Sequence, residues 1–348
     1  MEPLPPAEPP APADPLRGLD GTRASDKAAP SPGTLGSPWP PLFNLGLFVL
    51  TFASVLLAGF WLDDAVGLDD LSRFGRAAAF AGSLLAILLA HEMGHFFAAR
   101  WHGVDATWPY FIPAPVLSFI GTFGAVIRLR EVPRTRAALV DIGASGPLAG
   151  FVVAAPVVYL GMKLSHLGAA QQPLSPWTLW EAGLRALQTG DWPALRDGVD
   201  LGEPLLFQLA ERLVFGGDLG ATQTISIHPV AIAGWFGLLI TALNLLPLGQ
   251  LDGGHVLFAA SRRLHAALGP PISALLVGLG IFTPFTGWLL WGVLTGTVLS
   301  RHPPLSGPPA ESEQEARRPL GWRWLLVAAS ALVMALSVSL APISLLLK

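Results

Sequence analysis

The sequence contains no cysteine, which excludes disulfides, thiolate metal ligands and cysteine nucleophiles. Charge is scarce too: Asp, Glu, Lys and Arg make up 13% of the 348 residues, roughly half the share of a typical soluble domain, and the formal net charge is −3. No run of Lys and Arg interleaved with aromatics occurs, so nucleic-acid binding has no footing. In their place the chain carries 52% hydrophobic residues and a mean hydropathy of +0.53. That composition is a membrane protein's, and any metal it binds must use His, Asp or Glu.

Residues 1–41 hold 12 prolines among Ala, Gly and Ser, with almost no bulky apolar side chains. Such a segment cannot bury enough apolar surface to fold, and it reads as a disordered, partly polyproline tail. It lacks the basic start and apolar centre of a signal peptide, and Glu2, Glu8 and Asp14 are foreign to an organellar transit peptide.

Six apolar stretches are long enough to cross a bilayer: 42–62, 77–99, 139–162, 229–260, 264–300 and 324–347. Pro247 with Gly249 interrupts the fourth, and Pro270, Pro271 and Pro284 interrupt the fifth, so both are expected to kink or break. The expected fold is an all-α polytopic membrane protein of six to seven transmembrane helices. The tail (1–41), a membrane domain (42–300, with a core at about 77–260) and a linker with a C-terminal membrane helix (301–348) are its expected divisions. Arg100, Arg128, Arg130, Arg134 and Arg136 follow the second stretch, against Arg73 and Arg76 before it. The positive-inside bias therefore puts the C-terminal end of that span in the cytoplasm, in a bacterial inner membrane. Arg262 and Arg263 mark the same side, and Arg317, Arg318 and Arg323 favour two short passes within 264–300. Trp39, Trp61, Trp101, Trp322 and Trp324 stand near span ends as interfacial anchors.

Residues 104–130 are uncharged from Ala106 to Ile127 but carry Pro109, Pro113 and Pro115, which makes a spanning helix poor. A re-entrant or interfacial β-hairpin associated with the membrane fits better. FIGTFGAVIRLR has the β-branched and aromatic content of a strand, with Gly121 and Gly124 as bends.

Within the second span stands HEMGH, residues 91–95. On a helix His91 and His95 lie one turn apart on one face and can hold one metal ion, with Glu92 beside them. Each strongly polar group at the centre of a membrane helix costs about 2.5–3.5 kcal/mol on insertion scales, so three together require a partner such as zinc. A catalytic zinc with two histidines takes a third protein ligand and keeps a position open for water. Of the fourteen Asp and Glu residues after His95, only Asp141 and Asp252 fall inside expected spans. Asp141 lies close after Arg134 and Arg136 and is expected to pair with them at a helix start. Asp252, in NLLPLGQLDGGH, lies about 15 Å of helix from Arg262, a depth comparable to that of His91 and His95 relative to Arg100. Asn244, over two turns upstream if the helix continues, is able to bond a peptide carbonyl or simply a neighbouring helix. His255 is either a partner of Asp252 or an interfacial residue. Gly143, Gly146, Pro147 and Gly150 form a small-residue packing face, and His102, His166, His228, His265 and His302 receive no role.

HEMGH in one span and NLLPLGQLDGG in a later one together resemble the site-2 protease family of intramembrane zinc metalloproteases, over roughly residues 77–300. IGTFGAVI looks like the archaeal, cyanobacterial and chloroplast members. The resemblance implies one zinc ion per chain on His91, His95 and Asp252, with Glu92 as catalytic acid and base and Asn244 helping to hold substrate. It also implies a three-helix core from spans two to four and a substrate that is a transmembrane protein cut within the lipid bilayer. The connection 163–228 is too short for a PDZ domain, and no CBS-like extension follows. Three rivals stay open: a prenyl-protein type of membrane zinc protease with a later glutamate ligand, a non-catalytic client-binding protein, and a cation transporter.

Overall fold

The computed structural model describes residues 41–62, 69–115, 117–131, 133–169, 199–217, 223–283, 285–298, 302 and 318–345. The expected tail lies outside them. Everything below concerns the unit formed by residues 36–348.

Nine α-helices and three two-stranded antiparallel sheets are seen among the described residues. Helices α1 (Pro41–Leu62), α2 (Asp70–Trp101) and α3 (Arg136–Leu164) come first, with the strands β1 (Tyr110–Pro113) and β2 (Thr122–Val126) between α2 and α3. Next come β3 (His166–Ala169), β4 (Val199–Leu201), α4 (Leu205–Phe215) and β5 (Gln223–Ser226). Helices α5 (Pro229–Leu245), α6 (Asp252–Ala260), α7 (Arg262–Phe282), α8 (Gly287–Thr297) and α9 (Trp324–Ser337) precede β6 (Ile343–Leu345). Among the described residues four helices are long and apolar enough to cross a membrane: α1, α2, α3 and α7. Helix α5 and the segment Gly321–Ser337 are shorter apolar helices.

The caps are those the local chemistry favours. The Asp69 side chain accepts from the Ser72 N–H at 2.7 Å at the start of α2, and that bond with the Ser72 hydroxyl holds the Asp69 carboxyl below the usual carboxylate range. Thr135 caps α3 and His228 caps α5, whose first residue is Pro229.

The main core joins α2, α3 and α5 through Leu84, Leu85, Leu88, Ala154, Val158, Met162, Ala231, Trp235 and Leu238. Glycine sets how closely they approach. A Cβ on Gly161 would meet the Ala231 backbone, and one on Gly234 would meet Val158, so α3 and α5 touch almost backbone to backbone. On the other side, Leu42, Leu45, Val49, Leu50 and Leu57 of α1 are exposed, as a lipid-facing surface should be. Trp61, Trp101, Trp322 and Trp324 are exposed beside helix ends.

The hairpin expected in 104–130 is present as β1 and β2, paired Tyr110↔Val126 and Phe111↔Ala125. Helix α1 fastens it: Asn44 donates to the Pro109 carbonyl at 3.0 Å, Ser54 to the Gly121 carbonyl at 2.5 Å, and Phe48 meets Phe111 edge-on. Gly121 is obligatory in that seat, because its φ is +77° and a Cβ would collide with the Ser54 backbone.

The break expected in 229–260 is present: the stretch is two helices, because Leu246, placed before Pro247, turns extended (φ −53°, ψ 129°) and Gly249 takes φ +50°. Two other expectations are corrected. The stretch 324–347 stops being helical at Ser337; Val338 is extended, and Ile343–Leu345 pairs with Val199–Leu201 from 142 or more residues earlier. Asp141 does not pair with Arg134 or Arg136 but with Arg323 at 2.8 Å and His102 at 2.8 Å. Arg136 and Asp141 are five residues apart, which on a helix is about 140° of rotation, so they face different neighbours.

Those contacts also order the ends of the bundle. The end of α2, the start of α3, the end of α6 and residues 318–323 meet at one end. At the other end β4 pairs with β6, Trp235 donates to the Gly202 carbonyl at 2.7 Å, and Trp288 donates to the Leu340 carbonyl at 2.8 Å. Gly161→Leu is expected to destabilise the fold by about 1–3 kcal/mol through overpacking of α3 on α5. Thermal unfolding in detergent, followed by circular dichroism, checks this, and an unshifted midpoint would refute the close approach.

Candidate metal centre

The site begins with two histidines one helical turn apart. His91 and His95 of α2 are 4% and 7% exposed, and their Nε2 atoms lie 3.1 Å apart. Asp252 is the first residue of α6 and brings its Oδ2 to 3.3 Å from His91 Nε2 and 3.2 Å from His95 Nε2. Two atoms each about 2.05 Å from a tetrahedral zinc lie about 3.3 Å apart. The observed triangle therefore has the edge lengths of one face of such a coordination shell, and its N, N, O donor set suits zinc. Among the described residues this is the one group of three such side chains that converges.

Backbone contacts set these side chains. The His95 Nδ1 lies 2.7 Å from the Ile142 carbonyl, an acceptor, so the ring carries its proton on Nδ1 and leaves Nε2 free for a metal. Asp252 owes its place to the turn before it. A Cβ on Gly253 would collide with the Leu245 carbonyl and one on Gly254 with the Leu248 carbonyl, so only glycine lets α6 fold back so tightly. His265 Nε2 adds a contact to the Gly249 carbonyl at 3.2 Å.

The small-residue face of α3 has a sharper purpose than general packing. A Cβ on Gly146 would overlap the His95 imidazole; one on Gly150 would press on His91 at 3.2 Å, and one on Gly143 on the Asp252 carbonyl oxygen at 3.2 Å. All three glycines make room for His91, His95 and Asp252, for their rings or their main chain, which composition alone does not reveal.

Glu92 is 8% exposed, and its carboxylate lies beside the main chain of Ile127, just beyond β2. The Asn244 amide nitrogen lies 3.4 Å from His91 Nε2, so Asn244 reaches the same centre although it sits on a different helix from Asp252. His255 does not bond Asp252; its Nδ1 lies 2.6 Å from His302 Nε2, and the His302 ring stacks on Phe258. The sequence-based reading missed the Ile142 carbonyl, the main chain of Ile127, and the contacts of His102, His265 and His302. The first two are main-chain groups with no residue-type signal; the histidines find their partners only in three dimensions.

Residues 79–283 match the model of peptidase family M50. The chain belongs to that family. It is 32% identical over 277 residues to a protein of Arabidopsis thaliana named "Probable zinc metalloprotease EGY1, chloroplastic", covering 74% of this chain and 46% of that protein. With "Probable zinc metalloprotease EGY2, chloroplastic" of Oryza sativa subsp. indica it shares 34% identity over 235 residues, 66% of this chain and 37% of that one. The M50 chain thus spans less than half the length of these curated relatives. A solved structure titled "Site-2 Protease from Methanocaldococcus jannaschii" aligns over 78% of this chain and 89% of its own at 17% identity, with a TM-score of 0.29. The expected family is borne out by the M50 match and by the two curated relatives.

Gly146→Ala is expected to displace the His95 ring and reduce bound zinc at least about tenfold, the effect typical of disturbing the surroundings of a metal ligand. Elemental analysis of the purified protein checks it, and parental zinc content in a folded variant would contradict the assigned role of Gly146.

Proposed function

We propose that this M50 chain is an intramembrane zinc endopeptidase that hydrolyses peptide bonds in or beside transmembrane segments of other membrane proteins, with one zinc per chain. The observation that carries this is the convergence of His91, His95 and Asp252 from two helices at one point in an apolar bundle, with Glu92 next to it. The printed names of the relatives, zinc metalloproteases, support the same chemistry.

His91, His95 and Asp252 would hold the ion, which when bound supplies Lewis acidity at the scissile carbonyl and makes water a nucleophile near neutral pH. Glu92 takes the proton from the attacking water and returns it to the leaving amine as the C–N bond breaks. Its carboxylate lies beside the main chain of Ile127. Asn244, with its amide nitrogen beside His91, donates to a carbonyl of the substrate and fixes the scissile bond over the site. The Asp252 side chain is 18% exposed, so water has a route to the centre.

A helical peptide bond is shielded, so the substrate must be held extended. Arg128 faces the segment leading into β1 with both main-chain groups, its carbonyl accepting from the Thr107 N–H and its N–H donating to Thr107 Oγ1. By strand alternation the main-chain groups of Ile127 and Ala125 face the other way, and Ile127 lies beside Glu92. The outer edge of β2 therefore runs past the site, while α1 covers β1. An unwound substrate segment added along β2 would present its carbonyls to the centre.

We read α1, α2, α3, α5 with α6 as one broken pass, α7, α8 and α9 as seven crossings. Arg100, Arg128, Arg130, Arg134, Arg262 and Arg263 lie toward one end, and the positive-inside bias makes it cytoplasmic in a bacterial inner membrane. Glu92→Gln is expected to lower cleavage of a co-expressed transmembrane substrate by about 10²–10⁴-fold while zinc content stays at the parental level. Cleavage at the parental rate in that variant would end this reading.

A further inference from the structure

Helix α6, which carries Asp252, has nine residues and begins at a glycine-rich turn. A helix that short is not stable by itself, and its position must be fixed at the far end. That end is taken by Arg136 of α3. Its Nε donates to the Ala259 carbonyl at 2.6 Å and its Nη2 to the Ala260 carbonyl at 3.0 Å, two of the last carbonyls that a helix leaves without internal partners. Its Nη1 donates to the Arg318 carbonyl at 2.9 Å. The guanidinium also sets positive charge against the negative end of the α6 dipole.

Behind Arg136 stands a second knot on the same helix. Arg323 Nε donates to both carboxylate oxygens of Asp141 at 2.9 Å, and His102 Nε2 lies 2.8 Å from Asp141 Oδ2. His102 ends the helix that carries His91 and His95, seven residues beyond His95, which is about 10 Å of helix; Ala260 is eight residues, about 12 Å, beyond Asp252. The two ligand-bearing helices are thus tied at similar distances from the centre. Leu320 packs with Leu139, Val140 and Ala259 between the knots. Residues 318–323 lie beyond the family match, which ends at residue 283.

We propose that Arg136, backed by the Asp141–Arg323 pair, is a positioning residue for Asp252: by holding the far end of α6 to α3 and to residues 318–323, it fixes the carboxylate against the two imidazoles. Metal affinity in this chain then depends on a segment outside the matched family region. The part of this that concerns metal rests on the zinc reading of the site; the part that concerns α6 does not.

The test uses the full chain in detergent or nanodiscs with Arg136→Met, Arg136→Lys and Arg323→Ala. Hydrogen exchange across residues 252–260 is expected to quicken about tenfold or more in Arg136→Met and Arg323→Ala, while residues 84–95 keep their protection. Cobalt(II), used as the spectroscopic probe, is expected to bind about 10–100-fold more weakly with altered visible bands, and Arg136→Lys, which keeps the charge without the fork, should recover part of both effects. Unchanged exchange over 252–260 would overturn the proposal, as would a loss of protection spread equally over all helices. Should Arg136→Met not fold, Arg323→Ala decides. If the parent chain takes up no cobalt, the zinc reading falls, and the exchange measurement still decides whether Arg136 holds α6.

Discussion

Two imidazoles and a carboxylate meet within 3.3 Å of one another inside a bundle of apolar helices, and the rest of the architecture serves that meeting. Each group is expensive in such surroundings, and neither histidine nor aspartate has water enough to be solvated singly. Their mutual approach is what makes their burial tolerable, and it leaves an N, N, O donor set that suits a divalent cation. Helix α3 therefore turns glycines toward all three, and the Ile142 carbonyl orients His95.

The broken helix follows from the same requirement. Were 229–260 continuous, Asn244 and Asp252 would be more than two turns apart along one axis. The turn at 246–251 folds α6 back, so both residues reach the neighbourhood of His91. The interruption exposes main-chain groups that a membrane does not satisfy, and contacts such as His265 with the Gly249 carbonyl meet part of that demand. The hairpin is handled in the same way: α1 donates to its carbonyls through Asn44 and Ser54, leaving β2 as the edge toward Glu92.

Polar ties at both ends of the bundle keep these parts in register. At the arginine-rich end Arg136, Asp141 and Arg323 join α3, α6 and the segment before α9; at the other end β4–β6 and the Trp288 N–H hold residues 340–345, and the Trp235 N–H holds Gly202. Between them the helices interact through close-packed small residues, where dispersion replaces the hydrophobic drive that lipid removes.

Composition and periodicity determined the membrane class, the long helices α1 to α3, and the pairing of His91 with His95, because a one-turn spacing is a local property of a helix. Asp252 was legible by elimination, since few acids lie at membrane depth, and the hairpin by its prolines and β-branched residues. What only the tertiary structure decided are relations between distant segments: the partner of Asp141, the side to which α6 folds back, the strand at 343–345, and the reason glycine stands at 143, 146 and 150. A glycine's permitted neighbours and a carbonyl's acceptor role carry no sequence signature. They are set by which helix lies alongside, and that is fixed only when the whole bundle packs.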